Sequence, residues 1–207
     1  MTDTSTWYVT PNDLKPEFNI AADDNSKNRR LEEICEGVSR AIDADRGTRY
    51  WVPDDNEVWY FRGLTRWNKI HIGAFVSVAE VATDAIGAGT YTVWDAADYY
   101  LSPANAVLQG LPYTEIERTP QTTKQFSPLP RGIRVTGKSG FSAEVPAVIE
   151  EAALLIALRA YERPRTPLGT STRTSLGGKT VYHSLLADPD IRDLLDAVPG
   201  YRKFGAL

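Results

Sequence analysis

The sequence predicts an α+β chain: mainly a helical bundle around a buried central helix at about 146–163, with an inserted β-rich module and a flexible C-terminal extension. Three observations carry this. Val145 to Pro164 (VPAVIEEAALLIALRAYERP) is apolar at every position from Ala152 to Leu158, and a helix apolar all round is buried on most sides. Residues 48–140 switch to short aromatic and β-branched runs punctuated by Gly, Pro and Asn. After Pro164 the chain becomes rich in Thr, Ser and Gly, with basic but no acidic residues up to Thr180, a composition that buries little apolar area and is expected to be mobile.

Each element has its own signals. Thr10-Pro11-Asn12-Asp13 reads as a helix cap followed by proline at a first helical position. Residues 26–45 place apolar groups at 31, 34, 35, 38, 41 and 42, the spacing of one helical face, and Gly47 supplies a stop. Arg49–Val52 and Val58–Phe61 flank a turn-rich stretch and suggest a hairpin. Further strands are expected at 70–72, 76–82, 90–94, 99–101, 113–117 and 132–136. In the central helix Pro146 suits the start, the early Glu150 and Glu151 and the late Arg159 and Arg163 complement the helix dipole, and Pro164 ends it. Asp188-Pro189-Asp190 caps a last short helix with Ile191, Leu194, Leu195 and Val198. The domain reading is 1–47 for the N-terminal helices, 48–140 for the β-rich insertion, 141–164 for the core helix of the same bundle, and 165–207 for the extension.

Composition excludes several classes. A net charge of −4 argues against a chain built chiefly to neutralise nucleic acid. Arg159–Leu207 holds 8 basic and 5 acidic residues (+3), leaving 15 and 22 (−7) for the rest: a mildly basic end on an acidic body. The single Cys35 excludes an internal disulfide and sits among Leu31, Ile34 and Val38 as a small hydrophobe. The opening MTDTSTWYV is no secretory signal, and the apolar run is far below the roughly 20 residues of a membrane span. A soluble product made in a cytoplasm is expected.

The motifs yield no catalytic centre. Gly132–Ser139 (GIRVTGKS) fits the P-loop letters, but a P-loop follows a buried strand and leads straight into a helix. Here SPLPR precedes it, its variable positions are themselves strand-like, and Gly140 follows before any helix. Gly177-Gly178-Lys179-Thr180 has Arg173 where the first glycine belongs. His71 and His183 have no Cys or His at metal-ligand spacing, and no GxSxG supports a nucleophile elbow. Trp51, Trp59, Tyr60, Phe61 and Trp67 with Arg49, Arg62, Arg66 and Lys69 form a base-stacking pattern. Asp54, Asp55 and Glu57 interrupt its basic field, which favours cross-strand packing.

The order YVTPNDLK, SRAIDADRGTRYW, ADYYLSPANA, LPYTEIER and RGIRVTGKSGFSAEVPAVIEEAALLIALRAYERP resembles the head-to-tail adaptor (head–tail connector) family of tailed bacteriophages over roughly residues 8–168. The most specific part is the RVTGxxG(F/Y) strand followed by a VPxxIxxAAL helix start. The resemblance implies a non-enzymatic virion protein without cofactor, catalytic residue or metal site. It would form a ring of twelve copies at the neck, joining the portal protein to the stopper or tail-completion protein, with genomic DNA passing through the lumen. Rival readings are another neck component (a stopper, expected to be mainly β) and a nucleotide- or nucleic-acid-binding protein. The basic residues and apolar terminus of the C-terminal region make Arg163, Arg165, Arg173, Lys179, Tyr201, Arg202, Lys203, Phe204 and Leu207 the candidate portal and ring contacts.

Overall fold

The computed structural model describes residues 4–63, 68–162, 172–175, 178–181, 186 and 188–198. The chain divides into two units, one formed by Met1–Gly47 with Val145–Leu207, the other by Thr48–Glu144.

In the second unit everything hangs on β2 (Lys69–Thr83), fifteen residues long. It pairs antiparallel with β6 (Ile133–Ser139), β5 (Tyr113–Arg118) and the two-residue β3 (Thr92–Val93). β1 (Glu57–Phe61) adds to β6, and β4 (Tyr99–Ser102) adds to β5. The six-stranded sheet is therefore ordered β1-β6-β2-β5-β4, with β3 on the end of β2. Alternation decides the faces. In β6, Ile133, Val135, Gly137 and Ser139 are buried while Arg134, Thr136 and Lys138 are not. The inward residues meet Ile70, Ile72, Phe75, Val81 and Ile116, and Trp94 and Phe126 close this core as a stacked pair 5.1 Å apart. Nine fully or nearly buried apolar side chains, at roughly 1.5–3 kcal/mol each, are what hold the sheet.

The first unit is helical. α1 (Pro11–Glu17) opens with the Asp13 carboxylate accepting from the Thr10 N–H at 2.8 Å. α2 (Asn28–Arg46) buries Leu31, Ile34, Cys35, Val38 and Ile42 on one stripe and stops at Gly47, which takes a left-handed φ of 69°. α4 (Ala147–Glu162) packs against α1, α2 and α5 (Pro189–Asp196). The Pro146 carbonyl accepts from the Ile149 and Glu150 N–H groups, so the proline stands just outside the first turn. Ser39, fully buried in α2, accepts from the Tyr8 N–H at 3.0 Å and donates to the Cys35 carbonyl at 2.8 Å. β7 (Thr172–Ser175) and β8 (Gly178–Val181) make a separate two-stranded ribbon. A four-residue helix, α3 (Ala106–Gln109), follows β4 in the sheet unit.

The expectation of a mainly helical bundle is wrong. The sheet is a body of its own with its own core. The reason is β2: the segments expected at 70–72 and 76–82 are one strand carried past Gly73 (φ +83°) and two bulges, long enough to collect three partners. The expected hairpin between 49–52 and 58–61 is also absent. β1 pairs with the distant β6, while the Arg49 carbonyl accepts from the Phe141 N–H. In α4 Ile149, Ala152, Ala153, Ile156 and Ala157 form the buried stripe, and Leu154, Leu155 and Leu158 are half-buried. Within 165–207 the described residues include β7, β8 and α5, the short helix expected after Asp188, with Ile191 and Leu195 fully buried.

Candidate assembly surfaces

On the face of the sheet opposite its core, residues from four segments meet. Tyr60 of β1 lies opposite Arg134 of β6 and 6.1 Å, centroid to centroid, from Tyr91. The Arg131 guanidinium sits 4.2 Å over the Tyr60 ring and that of Arg134 4.8 Å over Tyr91. Arg134 is paired with Glu80 at 2.7 Å, and the Tyr91 hydroxyl donates to the Arg131 carbonyl at 2.7 Å. Such stacks hold arginine side chains in place at a partly exposed surface. Farther along the same face, Lys69 pairs with Glu115 at 2.8 Å, and Glu117 lies opposite Lys69.

The two outer strands carry much of the exposed apolar surface. Val58, Trp59 and Tyr60 of β1 are 51%, 44% and 39% exposed, and Tyr100 of β4 is 59% exposed. Val107 and Leu108 of α3, and Ile86 in the loop between β2 and β3, stand out farther still. The Ile86 loop is rigidly built. Asp84 accepts from the N–H groups of Ile86, Gly87 and Gly89 at 3.1, 2.8 and 2.7 Å. Burial pushes the Asp84 carboxyl up, but these amides and that of Ala88 outweigh it and hold it below the usual range.

A second polar cluster ties Thr48–Val52 to the sheet. Arg49 donates to Glu57 and to the Ser139 hydroxyl, and that hydroxyl donates to Glu57 at 2.7 Å. The Trp59 Nε1–H adds a bond to Glu57 at 3.0 Å, and Arg49 lies 4.3 Å over Trp51. Partial burial opposes ionisation of Glu57, yet the bonds from Arg49, Ser139 and Trp59 hold its carboxyl below the usual range. A carboxylate so fully engaged is a fastener, not a base. Asp98 does the same for the loop after β5. Thr122 Oγ1 and Lys124 Nζ donate to it, and its carboxyl drops to about 2.

Of the candidate contact residues, Arg173 lies in β7 opposite Thr180 and Lys179 lies in β8 opposite Thr174, at neighbouring steps of the ribbon. Arg163, Arg165, Tyr201, Arg202, Lys203, Phe204 and Leu207 lie outside the described residues. The P-loop string is β6 itself, and its glycines have packing reasons. A Cβ on Gly132 would fall 2.3 Å from the Ser127 hydroxyl oxygen, and one on Gly137 2.2 Å from the Ser77 carbonyl oxygen. Among the described residues no group of three His, Cys, Asp or Glu could hold a metal, and no helix is long and apolar enough to cross a membrane.

The aromatic–basic pattern at 49–69 is dispersed. Trp59 and Phe61 edge onto Phe75 on the core side, Tyr60 points to the opposite face, Arg49 serves Glu57, and Arg66 and Trp67 lie outside the described residues. Tyr91 and Arg131, the partners of Tyr60, come from loops far along the chain, so no local pattern links them to it. The alternation Arg134, Thr136, Lys138 was the available signal.

No family profile matches the chain, and no curated protein matches it. Solved structures do match in fold. One is a chain of the "Virion of native gene transfer agent (GTA) particle", 17% identical, with a TM-score of 0.52 over 96% of this chain and 94% of that one. Another is a chain of the "Neck of empty GTA particle computed with C6 symmetry", 18% identical, with a TM-score of 0.52 over 94% of this chain and 96% of that one. This chain therefore shares, over almost its whole length, a fold found in gene transfer agent particles and their necks.

Proposed function

We propose that this protein is a structural component of the neck of a tailed-phage-like particle, a head-to-tail adaptor that forms a ring between portal and tail. The observation that carries the reading is the fold shared end to end with chains of a gene transfer agent virion and neck. The order of segments that resembles adaptors agrees with it. So does the chemistry: the clusters around Glu57, Asp84 and Asp98 are fasteners of the fold, and the exposed features are apolar edges and arginine–tyrosine stacks. Copies related by rotation close a ring when the contact is heterologous and the rotation fits. The −7 body suits a lumen through which DNA slides without sticking.

The portal contact is assigned to the basic residues Arg163, Arg165, Arg173, Lys179, Arg202 and Lys203 with the apolar Tyr201, Phe204 and Leu207. Deleting 165–207 would be a poor test, since it removes the buried Ile191 and Leu195. Truncation after Val198, combined with Arg173→Glu and Lys179→Glu, leaves α5 in place and is expected to abolish portal binding.

The decisive experiment is co-sedimentation of the purified chain with its cognate portal rings. One copy per portal subunit is expected. No association at any salt concentration overturns the adaptor role. The six-stranded sheet favours a second reading, a stopper, which is expected to be mainly β; binding to a preformed portal–adaptor complex but not to bare portal would select it.

A further inference from the structure

Among the described residues β1 pairs only with β6 and β4 only with β5, so each end strand has one unpaired backbone edge. Sheets commonly blunt such edges with charged side chains, proline or bulges. Both edge strands here are short, five and four residues, and Pro103 directly follows β4, but within the strands themselves there is no proline, bulge or unpaired charge. β1 reads Glu-Val-Trp-Tyr-Phe and β4 reads Tyr-Tyr-Leu-Ser, and the single charge, Glu57, is engaged by Arg49 and Ser139. What they turn outward is Val58, Trp59 and Tyr60 on one edge and Tyr100 on the other.

The flanks of the two edges carry opposite charge. Beside β1, on the face away from the core, stand Arg131, Arg134 and Lys138. Beside β4, on that face, stand Glu115 and Glu117 of β5. The pairs Arg134–Glu80 and Lys69–Glu115 cancel within their own flanks, and the exposed Asp54 and Asp55 just before β1 offset Lys138 at that end, leaving Arg131 on one side against Glu117 on the other. An edge that met its own kind would set like charges together, whereas β1 meeting β4 sets unlike ones together.

We propose that β1 of one copy pairs with β4 of a second copy, so that the sheet continues head to tail from subunit to subunit. The inference rests on the ring reading above and assigns it an interface. Four antiparallel steps separate β1 from β4, so the two strands run the same way and the intermolecular pairing is parallel. The edges also flank different parts of β2: β6 carries β1 beside residues 78–83, and β5 carries β4 beside 69–71. The repeat is therefore oblique, with strands tilted to the ring axis as in a barrel.

The test is disulfide trapping in the full chain assembled on its portal rings. Val58 and Tyr100 are exposed on the same face. Within one subunit four strand spacings, about 19 Å in all, keep them far beyond the roughly 7 Å that a disulfide spans. Cys35 is fully buried and does not compete. The Val58→Cys/Tyr100→Cys double variant is expected to give a ladder of linked multimers on oxidation. Mixed single variants should give linked pairs only, and each single variant alone no link. Unfolding midpoints equal to wild type establish that the variants fold. A V58C-only dimer would indicate β1 meeting β1 and overturn the proposal. Assemblies of full mass without any link overturn the edge pairing and leave the ring standing. A chain that stays monomeric even beside its portal overturns both.

Discussion

At the scale of single residues, the groups that resemble functional motifs serve packing. Gly137 completes a P-loop string, yet its role is to let β6 pass the Ser77 carbonyl oxygen, 2.2 Å from where a Cβ would be. Gly137→Ala is expected to destabilise the sheet by about 1–3 kcal/mol through overpacking, read as a lowered midpoint in chemical denaturation. Lys138→Ala should leave the midpoint nearly unchanged, since its side chain stands on the face away from the core. The Cys35 thiol, fully buried, is pushed up to about 12 by its burial, with Asp13 adding to the rise. It should resist thiol reagents at pH 8 in the native protein and react at once in denaturant. Asp98, at about 2, is depressed chiefly by Thr122 and Lys124. A depressed carboxyl stabilises the fold above its unfolded value, about 3.9, and that contribution is lost as pH falls through the folded value. Stability should therefore decline between about pH 4 and pH 2, and Asp98→Asn should flatten that part of the pH profile.

At the scale of elements, helix ends and stripes were readable and pairings were not. The stripe of α2, the Gly47 stop and the Asp188-Pro189 start of α5 follow from side chains within a few residues of each other. The predicted hairpin at 49–61 failed because strand runs name no partners: β1 joins β6, more than seventy positions away. The aromatic–basic pattern failed for a related reason, since alternation in β1 sends Trp59 and Tyr60 to opposite faces. α5 holds its unit by Ile191 and Leu195, both fully buried, and by ion pairs of Arg46 with Asp196, Arg192 with Asp45 and Arg159 with Asp188. Leu195→Ala should cost about 2–5 kcal/mol. Arg192→Ala should cost no more than about 1 kcal/mol, because that side chain is substantially exposed. Thermal unfolding of the two variants compares them directly.

At the scale of the whole molecule, the proposed pairing of β1 with β4 would make the two ends of the sheet the contact between copies. Apolar, nearly uncharged edges flanked by opposite charge are costly in a protein that stays alone, since they invite edge-to-edge association. Raising the salt concentration should weaken assembly through the screened flank charges without abolishing it, because the apolar edge contact is not screened. Sedimentation across a salt series measures this. A loss of assembly by moderate salt alone would place the contact elsewhere.

The sequence by itself determined the helices of the first unit, the basic character of the C-terminal end and the lack of local catalytic signatures. All are properties of composition or of neighbours three or four positions apart. Only the tertiary structure decided that the β-like segments form one six-stranded sheet, that β1 and β4 are its edges, and that Arg131, Tyr60, Tyr91 and Arg134 stand together. Strand pairing is a choice among distant segments. It is settled by which register buries Ile70, Phe75, Val81, Ile116, Ile133 and Val135 at once, and that energy belongs to no single stretch of chain.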